Sequence, residues 1–277
     1  MPESRPPEVH AHQSIELLKA LHILTNEGKL NQDSRRKLKQ VYHLFQFIEP
    51  LLKSVQASND NPLLVDHGAG KSYLGFILYD LFTKQQTGGE VVGIETRVEL
   101  IEKSVALASK LGFERMRFLN LSVQEAISDD RIAPKVDIVT ALHACNTATD
   151  DAIAFGLHRK AQHMVLVPCC QAEIASVLRK NKAQALAKTP LAELWRHPIH
   201  TREMGSQLTN VLRCLQLEAA GYQVTVTELV GWEHSMKNEL IIASYNGHRR
   251  KNAVERIDEI LSQMHLTELR ARFVSIE

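Results

Sequence analysis

Cysteine is scarce in this chain. There are four among 277 residues, and two of them, Cys169 and Cys170, are adjacent. That is too few for a disulfide scaffold and reads as a reducing compartment. No stretch of ~18 apolar residues occurs, which argues against a membrane-spanning helix. The opening Met1-Pro-Glu-Ser-Arg-Pro-Pro7 lacks the apolar stretch of a signal peptide, so a cytoplasmic location is expected. Aromatic residues make up only 5%, which argues against a surface built mainly of base-stacking rings. Neither charge dominates: 33 Lys and Arg face 32 Asp and Glu, for a net charge of +1. A protein held on nucleic acid by bulk charge alone is thereby excluded. What is plentiful is apolar residue, at 44%, enough for the core of an enzyme-sized protein and too much for a disordered acidic chain.

The apolar residues are arranged in two patterns. From Ser14, Ile15, Leu17, Leu18, Leu21 and Leu24 predict a helix, and a turn follows around Asn26–Gly28. A second helix, capped by Asp33 or Ser34, carries Leu38, Val41, Tyr42, Phe45, Ile48, Leu51 and Leu52 on one stripe. Ser58–Pro62 breaks it. Beyond that break, short apolar runs (Leu63–Val65, Val91–Ile94, Met116–Leu119, Val136–Ala141, Met164–Val167) alternate with helix-length segments such as Leu74–Phe82, Val98–Leu111 and Ala172–Lys180. Continuous apolar runs separated by helices predict a parallel sheet covered on both faces. The last part differs: a helix around Met204–Ala219, then Gln223–Leu229 and Glu239–Ser244 as an antiparallel hairpin, then a final helix holding Val254, Ile257, Ile260, Leu261 and Met264. The expected division is a tail and helical cap over 1–61, a sheet domain over 62–246 and a helical extension over 247–277.

The first strand runs into Asp66-His-Gly68-Ala-Gly70-Lys-Ser72. Glycines at a strand-to-helix turn let the backbone approach a ligand, and the helix start offers free N–H groups. A phosphate-binding P-loop requires a glycine where Val65 stands, and the dinucleotide fingerprint requires one at Tyr73, so both fail. The spacing Asp66-x-Gly68-x-Gly70 is similar to the first motif of Rossmann-like S-adenosylmethionine-dependent methyltransferases, with Ser72 where a third small residue falls. The next apolar run ends in Glu95, a carboxylate placed to accept hydrogen bonds from both ribose hydroxyls of an adenosine. Ser122 and Val123 then stand where that family contacts the adenine.

Two strand exits carry the remaining chemistry. One holds His143 and Cys145, the other Pro168, Cys169 and Cys170, and neighbouring strands bring them together. Leu142-His-Ala-Cys145 with Thr149-Asp150, Pro168-Cys-Cys170 and Glu233-His-Ser-Met-Lys-Asn238 resembles a methyltransferase branch over roughly residues 34–245. That branch groups a tRNA ribose 2′-O-methyltransferase with methyltransferase-like proteins of uncertain substrate. The resemblance implies an α/β fold: a seven-stranded, mostly parallel Rossmann-like sheet with an antiparallel C-terminal hairpin, beneath the N-terminal helical cap. It also implies S-adenosyl-L-methionine as cofactor, bound by Asp66, Gly68, Gly70, Glu95, Ser122, Val123 and His143.

Three chemistries fit the cysteine–histidine cluster. Cys169 or Cys145 can act as a thiolate nucleophile on a pyrimidine. Zinc is a second reading, but adjacent Cys169 and Cys170 point different ways and no C-x2-C spacing exists, so no metal is expected. In the third, the cysteines shape a narrow pocket and His143 is a cofactor contact or general base. In the hairpin turn, Glu233 or His234 can accept a hydroxyl proton beside Lys237. The candidate catalytic set is therefore His143, Cys169, Glu233 and Lys237. Arg35, Arg36, Lys37 and Lys39 form a basic run on the second helix, and His248–Lys251 forms another. Such a run is either a solvated face or a phosphate contact, and RNA is the expected acceptor and partner, with no membrane and no obligate protein partner. The alternatives are a protein or small-molecule methyltransferase, or a catalytically silent cofactor- or RNA-binding module.

Overall fold

A computed structural model describes residues 5–142, 147–168, 172–181, 190–229 and 239–274. Its seven strands are β1 (Leu63–His67), β2 (Glu90–Glu95), β3 (Met116–Asn120), β4 (Ile138–Leu142), β5 (His163–Val167), β6 (Tyr222–Glu228) and β7 (Glu239–Tyr245). They form one sheet in the order β3-β2-β1-β4-β5-β7-β6. The first five run parallel, while β7 lies antiparallel between β5 and β6. This is the expected Rossmann-like methyltransferase sheet with its antiparallel hairpin. The continuous apolar runs are the inner strands: every residue of β1 and β5 is buried, as strands covered on both faces require. β6, at the edge, alternates exposed and partly buried positions.

The helices are α1 (Ile15–Ala20), α2 (Gln32–Gln56), α3 (Tyr73–Leu81), α4 (Val98–Leu111), α5 (Val123–Ser128), α6 (Ala148–His158), α7 (Glu173–Asn181), α8 (Pro198–Ala219), α9 (Ala253–Gln263) and α10 (Arg270–Phe273). One buried cluster joins the cap residues Leu17, Leu18, Leu38, Leu44 and Ile48 to Phe76 and Leu78 of α3 and Val91 of β2. A second lies against the other sheet face, with Ile153 and Phe155 of α6 and Leu217 of α8. A third joins α7, α8, α9 and α10. The cap thus shares its core with the sheet, and Asp80 of α3 also accepts the Ser14 backbone N–H at 2.8 Å.

Several boundaries differ from the sequence pattern. The residue capping α2 is Asn31, whose side chain accepts the Ser34 N–H at 2.8 Å, rather than Asp33 or Ser34. α8 begins at Pro198, six residues before Met204, because proline at a first helical position has no N–H to lose. α5 and α6 carry no long apolar stripe; α5 is set instead by a capping box between Ser122 and Glu125.

α6 is tied to α8 by an interior ion pair. Arg213, fully buried, donates from Nε and Nη2 to Asp150 at 2.6 and 2.8 Å and from Nη1 to Asn210 at 3.1 Å. Arg272 also reaches Asp150, at 3.8 Å, so removing Arg213 leaves the buried carboxylate with one distant partner and costs up to about 3 kcal/mol. R213M is therefore expected to lower the melting temperature by several degrees, and the double variant D150L/R213M to lose less than R213M alone. A double variant that loses the sum of the two single losses contradicts this.

Candidate functional site

The strand order reverses direction between β1 and β4, and open α/β sheets bind ligands at the carboxyl ends of the strands there. The residues after β1 make an irregular turn. Gly68, Gly70 and Ser72 all have left-handed backbones, with φ of 64°, 58° and 49°. Glycine reaches that region freely; Ser72 does so at a cost. Its hydroxyl is fully buried and donates to Asp66 Oδ2 at 3.3 Å. The residue where a third small position falls has thus become a prop for the acid.

Asp66 is 2% exposed, with Oδ1 accepting from the Thr140 hydroxyl of β4 at 2.9 Å and Oδ2 accepting the Gly75 N–H at 3.3 Å. Burial pushes its carboxyl up to about 6, against the pull of those hydrogen bonds. No side chain fits at position 75: a Cβ there would stand 2.6 Å from the Ser72 hydroxyl. Gly75 belongs to the site although it lies outside the glycine motif.

Glu95 ends β2 and staples the loop to it. Its Oε2 accepts the Gly70 N–H at 2.8 Å, one residue after Ala69 N–H donates to the Ile94 carbonyl at 2.9 Å. Oε1 accepts the backbone N–H groups of Thr96 and Arg97 at 3.0 and 3.1 Å. The Arg97 guanidinium spans both oxygens, at 3.0 and 3.1 Å. Burial alone would raise this carboxyl, but the Arg97 and Gly70 hydrogen bonds outweigh it and hold it low, so Glu95 is anionic. Asn120 at the end of β3 donates to the Glu95 and Thr96 carbonyls at 3.0 and 2.8 Å and fixes the neighbouring exit.

These groups open into a cavity of about 460 Å³ lined by Asp66, Gly68, Gly70 and Arg97. Tyr73 and Leu74 of α3, Leu142 after the body of β4 and Leu229 after β6 complete one side. The other side is α2, through Lys37, Gln40, Val41 and Leu44. The sequence pattern offered Lys37 as a phosphate contact but missed Gln40, Val41 and Leu44 as site residues; only their spacing with Lys37 at i, i+3, i+4, i+7, a single helix face, pointed that way. Ser122 and Val123 sit half-buried beside β3, and the Ser122 hydroxyl is engaged with Glu125 at 2.7 Å. His143, Cys145, Cys169, Cys170, Glu233, His234, Lys237 and Asn238 lie outside the described residues. The strands that lead to the first four are paired, Leu142 beside Val167. Glu228 and Glu239, paired across the hairpin, flank the segment holding the others. Among the described residues no group of three or more His, Cys, Asp or Glu could hold a metal ion, and no helix is long and apolar enough to cross a membrane. The described cysteine, Cys214, is free and half-buried, and burial pushes its thiol up to about 12.

Residues 36–177, just over half of the chain, match the family described as a methyltransferase domain. The chain belongs to that family: it carries a methyltransferase domain, built on a Rossmann-like sheet. A curated relative, the glutathione S-transferase C-terminal domain-containing protein homolog of Drosophila pseudoobscura pseudoobscura, is 25% identical over 175 residues, 54% of this chain and 29% of that protein. The chain therefore spans under a third of that relative's length. Among solved structures, the Methanococcus jannaschii fibrillarin pre-rRNA processing protein is 12% identical over 68% of each chain, with a TM-score of 0.44. The SAH-bound magnesium protoporphyrin IX methyltransferase of Synechocystis PCC 6803 is 13% identical over 84% of this chain and 95% of that one, with a TM-score of 0.45.

The cavity suits S-adenosylmethionine, the cofactor expected from the loop motif. Its volume lies in the range of small-molecule sites, and it is lined by glycine backbone that a ligand can approach, with the anionic Glu95 carboxylate held directly behind that lining by Gly70 and Arg97.

His67, between Asp66 and Gly68, points to the other sheet face. It is 4% exposed, its ring 5.5 Å from that of Phe155, and neither ring nitrogen has a hydrogen-bond partner. Burial pushes it down to about 4, only partly offset by Glu95. The two neighbours therefore act oppositely on stability. As pH falls through 6 toward 3.8, native Asp66 takes up a proton before the unfolded chain does, which stabilises the fold. As pH falls through 6.5 toward 4, native His67 refuses a proton that the unfolded chain accepts, which destabilises it. D66N removes the first effect and keeps the second, since an amide can donate to Thr140 and accept from Ser72 and Gly75. The variant should be more stable than wild type at neutral pH by up to about 3 kcal/mol. It should also lose melting temperature more steeply on acidification. Parallel melting-temperature profiles for the two proteins would refute this.

Proposed function

We propose that the protein methylates RNA, at a ribose hydroxyl or a base. The observation that carries this reading is that one member of the basic run of α2, Lys37, lines the cavity together with Gln40. Arg35 pairs with Glu8 at 3.0 Å and Arg36 with Asp33 at 3.7 Å. Lys37 and Lys39 are exposed and have no ion pair among the described residues, which leaves them for phosphates. Acceptor phosphates held by α2 lie next to the cofactor site, where transfer needs them.

In this reading Asp66, Gly68, Gly70 and Glu95 hold S-adenosylmethionine. The glycine backbone and Asp66 would hold the amino-acid end and Glu95 would accept from the ribose hydroxyls, with Ser122 and Val123 toward the adenine. The cofactor supplies an electrophilic methyl group for direct displacement. The reading gives His143 the role of cofactor contact or base and Cys169 a packing role, and it would have Glu233 take the acceptor hydroxyl proton with Lys237 lowering that hydroxyl's pKa. C169A is expected to retain turnover and H143A to lose most of it; an inactive C169A with normal cofactor affinity would make Cys169 the nucleophile instead.

The acceptor is tested by incubating the protein with methyl-labelled cofactor and separated RNA and protein fractions of a cell lysate. Label in RNA is expected, and in K37E/K39E it should fall by more than cofactor affinity does, the latter read in parallel by calorimetry. Label confined to protein fractions, or no transfer at all, would overturn the RNA reading.

A further inference from the structure

A second cavity, of about 690 Å³, lies at the opposite end of the sheet from the cofactor site. Leu142 at the end of β4 lines the first cavity and Lys135, before β4, lines the second. At ~3.3 Å per residue the two are roughly 20 Å apart. We propose that this groove binds a nucleotide unit of single-stranded RNA, as an anchor distant from the methylated residue. The proposal rests on RNA being the acceptor.

The groove offers a π-face, cations and a hydrogen-bond acceptor together. Lys135, Lys160 and Arg249 line it, all exposed, and no acidic residue is among its described lining. Tyr245 stands at its wall 57% exposed, which is unusual for so large a ring at the end of a strand. That ring is held rigid. It meets Tyr222 edge-on at 5.3 Å, and the Tyr222 hydroxyl donates to the Ala161 carbonyl at 2.6 Å. Its backbone N–H donates to the Gln162 carbonyl at 2.8 Å. Gly221, with φ of 92°, leaves the space the ring needs: a Cβ there would stand 3.3 Å from Tyr245 Cε2. A fixed, exposed ring is a platform for a base, since every base has a π-face. Gln216 adds the acceptor. It lines the same cavity, is only 8% exposed, and its carbonyl oxygen has no hydrogen-bond partner. A buried acceptor left unpaired is costly, and the N–H donors on a base edge are what it lacks.

The basic segment His248–Lys251 also finds a place here. Arg250 is not a ligand group: it donates to Glu218 at 2.6 Å and pins the segment to the end of α8. That pinning sets Arg249 in the groove wall. Lys160 sits opposite with a left-handed backbone, φ 50°, which a lysine adopts only at a cost.

The test uses fluorescence anisotropy of a labelled oligouridine of about a dozen nucleotides on the full chain. Y245A should weaken binding about tenfold, and Y245W should restore it and report the stack by quenching of its own fluorescence. K135E/K160E should also weaken binding and flatten the salt dependence by about one logarithmic slope unit per lysine. Cofactor affinity by calorimetry should be unchanged in all three. Undiminished oligouridine affinity in Y245A and K135E/K160E would overturn the groove, as would polyglutamate competing as well as RNA. Loss confined to K37E/K39E would remove the groove while leaving RNA as the acceptor. Loss in the groove variants, with label found only in protein fractions, would keep the nucleotide site and remove the RNA acceptor.

Discussion

The hydrogen bond from the Gly70 N–H to Glu95 holds the site together. The loop after β1 is left-handed at three positions within five residues, and nothing local would keep it in one conformation. The Glu95 carboxylate at the end of β2 accepts from that loop at 2.8 Å, and Ala69 donates to the β2 backbone beside it. Asp66 braces the same loop from below through Ser72 and Gly75 and reaches across to Thr140 of β4. Three strands are thus tied through two carboxylates at the point where the sheet order reverses. Both are buried, but one is held anionic by Arg97 and Gly70 while the other is raised toward neutrality. That difference follows from burial against hydrogen bonding and gives the two acids different tasks.

Much of this was legible in the sequence because it is local. Asp66, Gly68, Gly70 and Glu95 follow from strand ends and from backbone positions that demand glycine, and the parallel order follows from uninterrupted apolar runs. Lys37 was legible as a candidate phosphate contact, but the contributions of Gln40 and Leu44 were not, because a helix folding over a loop that lies further along the chain is a tertiary event and its spacing alone describes any buried face. Arg97 was also hidden: its guanidinium matters only because of where Glu95 points. Gly75 was passed over because its need is steric, set by the Ser72 hydroxyl. The start of α8 was misplaced because Pro198–Glu203 carries little apolar periodicity, and α6 was missed because small residues pack it.

The near-zero net charge takes on a spatial meaning. Carboxylates are spent on structure: Glu95 on the loop, Asp150 on buried Arg213, Asp137 on the Leu63 N–H at 2.8 Å. Arginines are spent the same way, Arg213 on Asp150 and Arg159 on the Ile132 and Ala126 carbonyls, whereas Lys37 lines the cavity at the carboxyl ends of the strands and Lys135 and Lys160 line the cavity at the other end. A protein with nearly equal numbers of both charges therefore carries exposed lysines at two cavities, one at each end of a single sheet. The cap and the C-terminal helices each build one of them on a sheet that supplies the fold.

The central claim is that Glu95 both orders the glycine loop and holds the cofactor. Isothermal calorimetry of S-adenosylmethionine binding to wild type and E95A, with melting curves of both, tests it most directly. The account predicts measurable binding by wild type and a loss of about 2–3 kcal/mol, some thirtyfold to a hundredfold in affinity, in a variant that still melts cooperatively. Undiminished affinity in a folded E95A, or no binding by wild type, would contradict it.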